Sequence, residues 1–155
     1  EVQPGLAVLI RKELDFLERR WPEHLPAEVV HADIFPDNVF FDGEAFAGFI
    51  DFYFSCTEYR AYDLALIVNA WCFDADHKWN QSKFKGLMKG YDSVRGLTLQ
   101  EKRALTVLCR GAAMRILLTR LHDWLFHEPS HFVVPKDPKE YIAKLQHHQH
   151  DYVSY

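Results

Sequence analysis

Cysteine, glycine and excess positive charge are all scarce in this sequence, and each scarcity removes a class of function. Only three of the 155 residues are cysteine: Cys56, Cys72 and Cys109. The odd count and the lack of C-x-x-C spacing exclude a disulfide framework or zinc ribbon and predict free thiols in a reducing compartment. No apolar run reaches the roughly 20 residues of a membrane span, and the opening residues show no signal-peptide pattern. Lys and Arg number 18 against 22 Asp and Glu, a net charge of -4. Neutralising phosphates needs a basic excess, so neither nucleic acid nor a membrane is an expected partner. The expected location is the cytoplasm. The seven glycines, at 5, 43, 48, 86, 90, 96 and 111, form neither G-x-G-x-x-G nor a P-loop. Both of those phosphate cradles are therefore missing from the chain.

What is present is ordinary for a folded protein: 48% hydrophobic and 26% charged residues. The length predicts a single domain over residues 1–155, enough to bury about 70% of its unfolded surface. The chain opens Glu1-Val2-Gln3-Pro4-Gly5, without Met, and runs straight into an apolar-periodic helix. That opening predicts a segment of a longer protein.

Leu6, Leu9, Ile10, Leu14 and Leu17 predict a helix over 6–20, ended by Trp21-Pro22. Residues 28–31 predict a short buried strand. Residues 38–42 and 46–52, on either side of Asp42-Gly43, predict a hairpin. Helices are expected over 63–73 and 80–94. A further one runs from the capping box Thr98/Glu101 to about Phe126. Asp137-Pro138 predicts the start of a last helix, reaching about His150. The expected class is mostly α within an α+β pattern, with one small hairpin in the N-terminal third.

The chemistry is concentrated in residues 31–51. His31-Ala32-Asp33-Ile34-Phe35-Pro36-Asp37-Asn38 reads H-x-D-x-x-x-x-N, and Ile50-Asp51-Phe52 closes the hairpin that follows. Asp33, in a loop between short strands, can accept a proton from an attacking hydroxyl. Asn38 offers a neutral oxygen ligand, and Asp51 a charged one on the returning strand. Two hard oxygens brought together by a hairpin suit Mg²⁺, which bridges nucleotide phosphates. A base with two Mg²⁺ ligands is the set that kinase-type phosphoryl transfer requires.

These residues resemble a known family. VVHADIFPDNVFFDG, followed by FAGFIDFYFSCTEYRAYDLA, is similar to the catalytic segment of the aminoglycoside phosphotransferase and choline kinase superfamily. NAWCF, RGAAMRILLTRLHDW and KDPKEY resemble its homoserine kinases. The resemblance implies a protein-kinase-like C-terminal lobe, with the hairpin beside the catalytic loop. It implies transfer of the ATP γ-phosphoryl to the hydroxyl of L-homoserine, in threonine biosynthesis, with ATP and Mg²⁺ as cofactors. By the same resemblance Asp33 is the catalytic base and Asn38 and Asp51 hold Mg²⁺. His31 packs under the catalytic loop, and Asp63 braces its backbone. Tyr53 stands where protein kinases have Gly, so an activation-loop switch is not expected.

The family's N-terminal nucleotide lobe, with a Gly-rich cover and a strand Lys, is expected to lie outside this chain. Without it the chain alone is expected to be inactive, and the exposed lobe interface to favour self-association. Other acceptors stay open: an aminoglycoside, choline or another amino alcohol. Glu58, Asp74 and Asp76 are few and scattered for a polycation. A non-catalytic helical binding module would have no need of Asp33, Asn38 and Asp51 together.

Homoserine carries a carboxylate, and Arg115 and Arg120, which interrupt an apolar helix, are candidates to bind it. Tyr53 is a candidate to line the cleft. Trp71 and Trp79 are expected to pack. His147, His148 and His150 read as the end of a polar helix rather than as metal ligands, and His127 with His131 as loop residues.

Overall fold

A computed structural model describes residues 2–127 and 134–151; His131 lies outside them. Helix α1 (Leu6–Arg20) follows Gly5, whose φ of 75° suits a residue without Cβ. It buries Leu6, Glu13 and Leu17, and Trp21-Pro22 ends it. Strands β1 (Ala27–Val30) and β4 (Cys56–Tyr59) pair antiparallel, with Val30 opposite Cys56. Between them, β2 (Val39–Asp42) and β3 (Ala45–Phe49) form the hairpin, irregular between Phe40 and Phe41. Helices α2 (Arg60–Trp71), α3 (Gln81–Val94), α4 (Leu99–Phe126) and α5 (Lys139–His150) complete the chain.

Helix α4 is the spine. Its N-terminus carries the capping box, Thr98 accepting from the Glu101 amide and Glu101 from the Thr98 amide. Its small and apolar residues pack against α1, α2 and α5. The core lies among these helices, where Leu64, Val68, Leu105, Leu108, Leu117 and Leu145 are almost wholly buried. Burying each such side chain contributes about 1.5–3 kcal/mol.

Several boundaries differ from the sequence reading. The strand expected at 28–31 ends at Val30, so His31 leads the loop. The second hairpin strand stops at Phe49, because Asp51 adopts φ 62° and reverses the chain. Helix α2 starts at Arg60, placing Asp63 inside its first turn. Strand β4 was not expected at all: Cys-Thr-Glu-Tyr becomes a strand only by pairing with β1. The last helix begins at Lys139, whose amide donates to Asp137 Oδ1 at 2.8 Å. Among the described residues no helix is long and apolar enough to cross a membrane.

Candidate active site

Strand β1 delivers His31 into a buried position, where its Nε2 donates to the Ile50 carbonyl at 2.9 Å. A carbonyl can only accept, so the ring proton sits on Nε2. The ring packs on Phe52 and Phe49, with centroids 4.6 and 5.9 Å away. Ala32 then takes φ 61°, a left-handed conformation that costs a non-glycine residue on the order of 1–3 kcal/mol.

That conformation is gripped from both sides. Asp63 Oδ1 accepts the Ala32 amide at 2.8 Å, and Arg115 Nη1 donates to the Ala32 carbonyl at 3.2 Å. Burial raises the Asp63 carboxyl above its usual range, opposed by the amides of Ala32 and His31. The reversal at Ala32 turns Asp33 out of the strand direction. Trp71 Nε1 holds the next stretch, donating to the Ile34 carbonyl at 2.8 Å. Trp71 thus does more than pack, which the sequence reading did not anticipate.

Asn38 ends the loop in a short 3-10 turn, Pro36–Asn38. Its Nδ2 donates to the Asp33 carbonyl at 2.8 Å and to Asp33 Oδ2 at 3.0 Å. Ile50 is clamped between the two ends of the loop: its amide donates to the Asn38 carbonyl at 3.1 Å, and its carbonyl accepts from His31. Asp51, the next residue, is thereby set beside Asn38 with an exposed side chain. With Asn38 Nδ2 turned onto Asp33, its Oδ1 faces away from that bond. An amide oxygen and a free carboxylate are the hard donors that Mg²⁺ takes while keeping several waters, so the pair fits that ion.

The remaining candidates are spread more widely. Tyr53 is 86% exposed and touches Phe54 edge-on. Arg115 is engaged with the loop backbone, 5.5 Å from the Phe54 ring centroid. Arg120 lies further along α4, where its Nη1 meets Glu140 and the Asp137 carbonyl. Lys136 Nζ, 3.0 Å from Asp37 Oδ2, ties the approach to α5 onto the catalytic loop.

His147 stacks on Trp79, and His148 is buried against Asn69. Among the described residues no group of three or more His, Cys, Asp or Glu is placed to hold a metal. Around the hairpin and the turn after it, Phe40, Phe41, Phe46, Ile50, Phe52 and Phe54 are exposed.

The chain matches the model of the phosphotransferase enzyme family over residues 1–97. It is 53% identical over 148 residues to a homoserine kinase of Brucella anthropi, covering 96% of this chain and 45% of that protein. It is 54% identical over 147 residues to a homoserine kinase of Parvibaculum lavamentivorans, covering 95% and 46%. The chain thus spans about half the length of the curated relatives it matches. Among solved structures, an ethanolamine kinase of Plasmodium vivax superposes with a TM-score of 0.59 at 19% identity, over 93% of this chain and 38% of that one. At that identity the likeness is one of fold, and it agrees with the helical kinase-like lobe expected from the sequence. The family match takes in the whole run from His31 to Asp63, with the clamp on Ile50 and the brace on Ala32, and the chain belongs to the phosphotransferase enzyme family.

Proposed function

We propose that this chain is the base-and-metal half of an ATP-dependent kinase that phosphorylates the hydroxyl of L-homoserine, a step of threonine biosynthesis in the cytoplasm. The observation that carries the reading is the pair of hydrogen bonds from Asn38 to Asp33, at 2.8 and 3.0 Å, with Ile50 clamped so that Asp51 follows at once. The acceptor is taken from the relatives, which are homoserine kinases at 53 and 54% identity.

In this reading Asp33 Oδ2 is held by Asn38, and Oδ1 accepts the proton of the substrate hydroxyl as that oxygen bonds to the γ-phosphorus and the bond from that phosphorus to the β,γ-bridging oxygen breaks, releasing ADP. The carboxylate must not swing, because a positioned general base contributes roughly 10²–10⁴-fold only while it is positioned. Asn38 Oδ1 and the Asp51 carboxylate would hold Mg²⁺, which when bound neutralises charge on the phosphates. His31, Asp63 and Trp71 keep the loop in shape. The phosphate cover and the strand lysine would be contributed by a nucleotide lobe outside these residues. The exposed apolar face around the hairpin is of the kind that meets such a lobe. Alone, these 155 residues should fold yet turn over no substrate.

The test uses the full-length protein with ATP and Mg²⁺, and L-homoserine, choline and kanamycin as acceptors. Homoserine should show the highest kcat/KM. Asp33→Asn should keep ATP binding and lower kcat by about 10²–10⁴-fold. Wild-type turnover in that variant would remove the base assignment. Preference for choline or kanamycin would remove the homoserine assignment and leave the kinase.

A further inference from the structure

Three of the four arginines of α4, Arg110, Arg115 and Arg120, have hydrogen-bond partners, and they use their edges differently. Arg110 presents Nε and Nη2 to Glu13, at 2.7 Å each. That is the bidentate fork for which guanidinium and carboxylate geometries match. Arg115 gives one nitrogen to the Ala32 carbonyl. Arg120 gives only Nη1, which serves both Glu140 Oε2 and the Asp137 carbonyl. Its Nε and Nη2 have no hydrogen-bond partner among the described residues. The fork edge of Arg120 thus meets no acceptor among the described residues, although its side chain is only 11% exposed.

A second observation lies beside it. The Arg120 guanidinium covers the Tyr141 ring, 4.5 Å from its centroid. Tyr141 is completely buried, and its hydroxyl has no partner among the described residues. A buried donor left unmade costs about 1–3 kcal/mol, and such a cost persists where a ligand meets it. The local charge is also unbalanced. Arg120 and Lys144 both pair with Glu140, two cations to one carboxylate. Among the described residues these two cations share that one carboxylate.

This corner lies against the catalytic loop. Lys136 Nζ bonds Asp37, the residue before Asn38, while Arg120 bonds the carbonyl of Asp137. Asp33 is close enough for its charge to hinder ionisation of Tyr141. A guanidinium edge and a phenol without partners among the described residues, with two cations on one carboxylate, in a corner tied to the catalytic loop, suit a carboxylate.

We propose that the Nε/Nη2 edge of Arg120 and the hydroxyl of Tyr141 bind the carboxylate of the acceptor, with Glu140 fixing Arg120. The inference rests on the reading of the acceptor as an amino acid and says which residues recognise it. Arg120 and Tyr141 are specificity residues here, and the base remains Asp33.

The experiment compares L-homoserine with 3-aminopropan-1-ol, which has the same hydroxyl and amine but no carboxylate, in the full-length enzyme. Arg120→Lys keeps the charge and loses the fork. Tyr141→Phe loses only the hydroxyl and, since that group has no partner to forfeit, should melt no lower than wild type. Each variant should lower the ratio of kcat/KM for homoserine over 3-aminopropan-1-ol by roughly 10- to 100-fold, the scale of a lost charge-assisted hydrogen bond. If wild type uses homoserine and the ratio is unchanged in both variants, the carboxylate receptor is wrong and the homoserine assignment stands. An equal loss for both acceptors would also overturn it, as general damage. If wild type itself prefers 3-aminopropan-1-ol or choline, the amino-acid reading fails, and the receptor with it.

Discussion

At the scale of single residues, the same atom count can help or harm depending on one neighbour. Gly111 sits inside α4, where exchange for Ala normally gains about 1 kcal/mol of helix propensity. A Cβ there would lie 2.3 Å from Trp21 Cζ3 and 2.7 Å from Cη2. The indole would have to leave its edge contact with Tyr62, whose ring centroid is 5.7 Å away. Overpacking of this kind costs about 1–3 kcal/mol and outweighs the propensity gain. Gly111→Ala should therefore lower stability in equilibrium urea unfolding. Combined with Trp21→Leu, which clears the space, it should become neutral or stabilising. A stability gain from the single substitution would show that the indole moves at no cost.

Among the elements, α4 joins the fold to the site through its arginines. Arg110 and Glu13 form a two-pronged pair with Glu13 only 2% exposed, and Gln149 adds a third hydrogen bond to the same carboxylate at 2.7 Å. Removing one partner of a buried pair costs about 3–5 kcal/mol, because the other charge is left stranded. Arg110→Met should approach that figure in a denaturation midpoint. Replacing Glu13 and Arg110 together with Leu and Met should recover most of the loss. If the double variant is as unstable as the single, packing and not the stranded charge is at fault.

The sequence could say that arginines interrupt an apolar helix but not which groups they meet, because their partners lie far along the chain. Arg110 reaches back to α1, Arg115 to Ala32 and Arg120 forward to Glu140. Local signals were legible for the opposite reason. Thr98 and Glu101 are three residues apart, and the run from His31 to Asn38 is contiguous. Strand β4 was invisible because nothing in Cys56–Tyr59 marks it apart from its distant pairing with β1. Trp71 read as a packing residue because only the tertiary fold brings its indole to the Ile34 carbonyl.

For the molecule as a whole, α2, α4 and α5 meet at one buried polar junction, and that junction sets a pH dependence. Asn69 Nδ2 donates to the Ala65 and Cys109 carbonyls at 3.1 and 2.9 Å, which fixes its Oδ1 as an acceptor. His148 Nε2 lies 3.0 Å from that oxygen and must donate to it, so Nδ1 carries no proton. Burial, reinforced by the nearby positive charges of His147, Arg110 and Lys144, pushes the His148 pKa down from 6.5 to about 3. In the unfolded chain His148 takes up a proton as the pH falls below about 6.5, while the folded chain stays neutral there. Protons then bind the unfolded state preferentially. The stability from His148 is complete above that pH and is lost at about 1.4 kcal/mol per pH unit below it. His147, also lowered by burial, acts in the same direction. Glu101 and Glu140, held below their usual range by Arg60 and by Lys144 and Arg120, lose their contribution only at more acidic pH. Between pH 7.5 and 5 the slope therefore belongs mainly to the histidines. Urea midpoints for wild type should fall steadily over that interval. His148→Gln, which can still donate to Asn69, should start from a lower midpoint yet show a clearly flatter dependence. An unchanged slope in His148→Gln would mean that the buried imidazole takes up its proton in the folded state as readily as in the unfolded one.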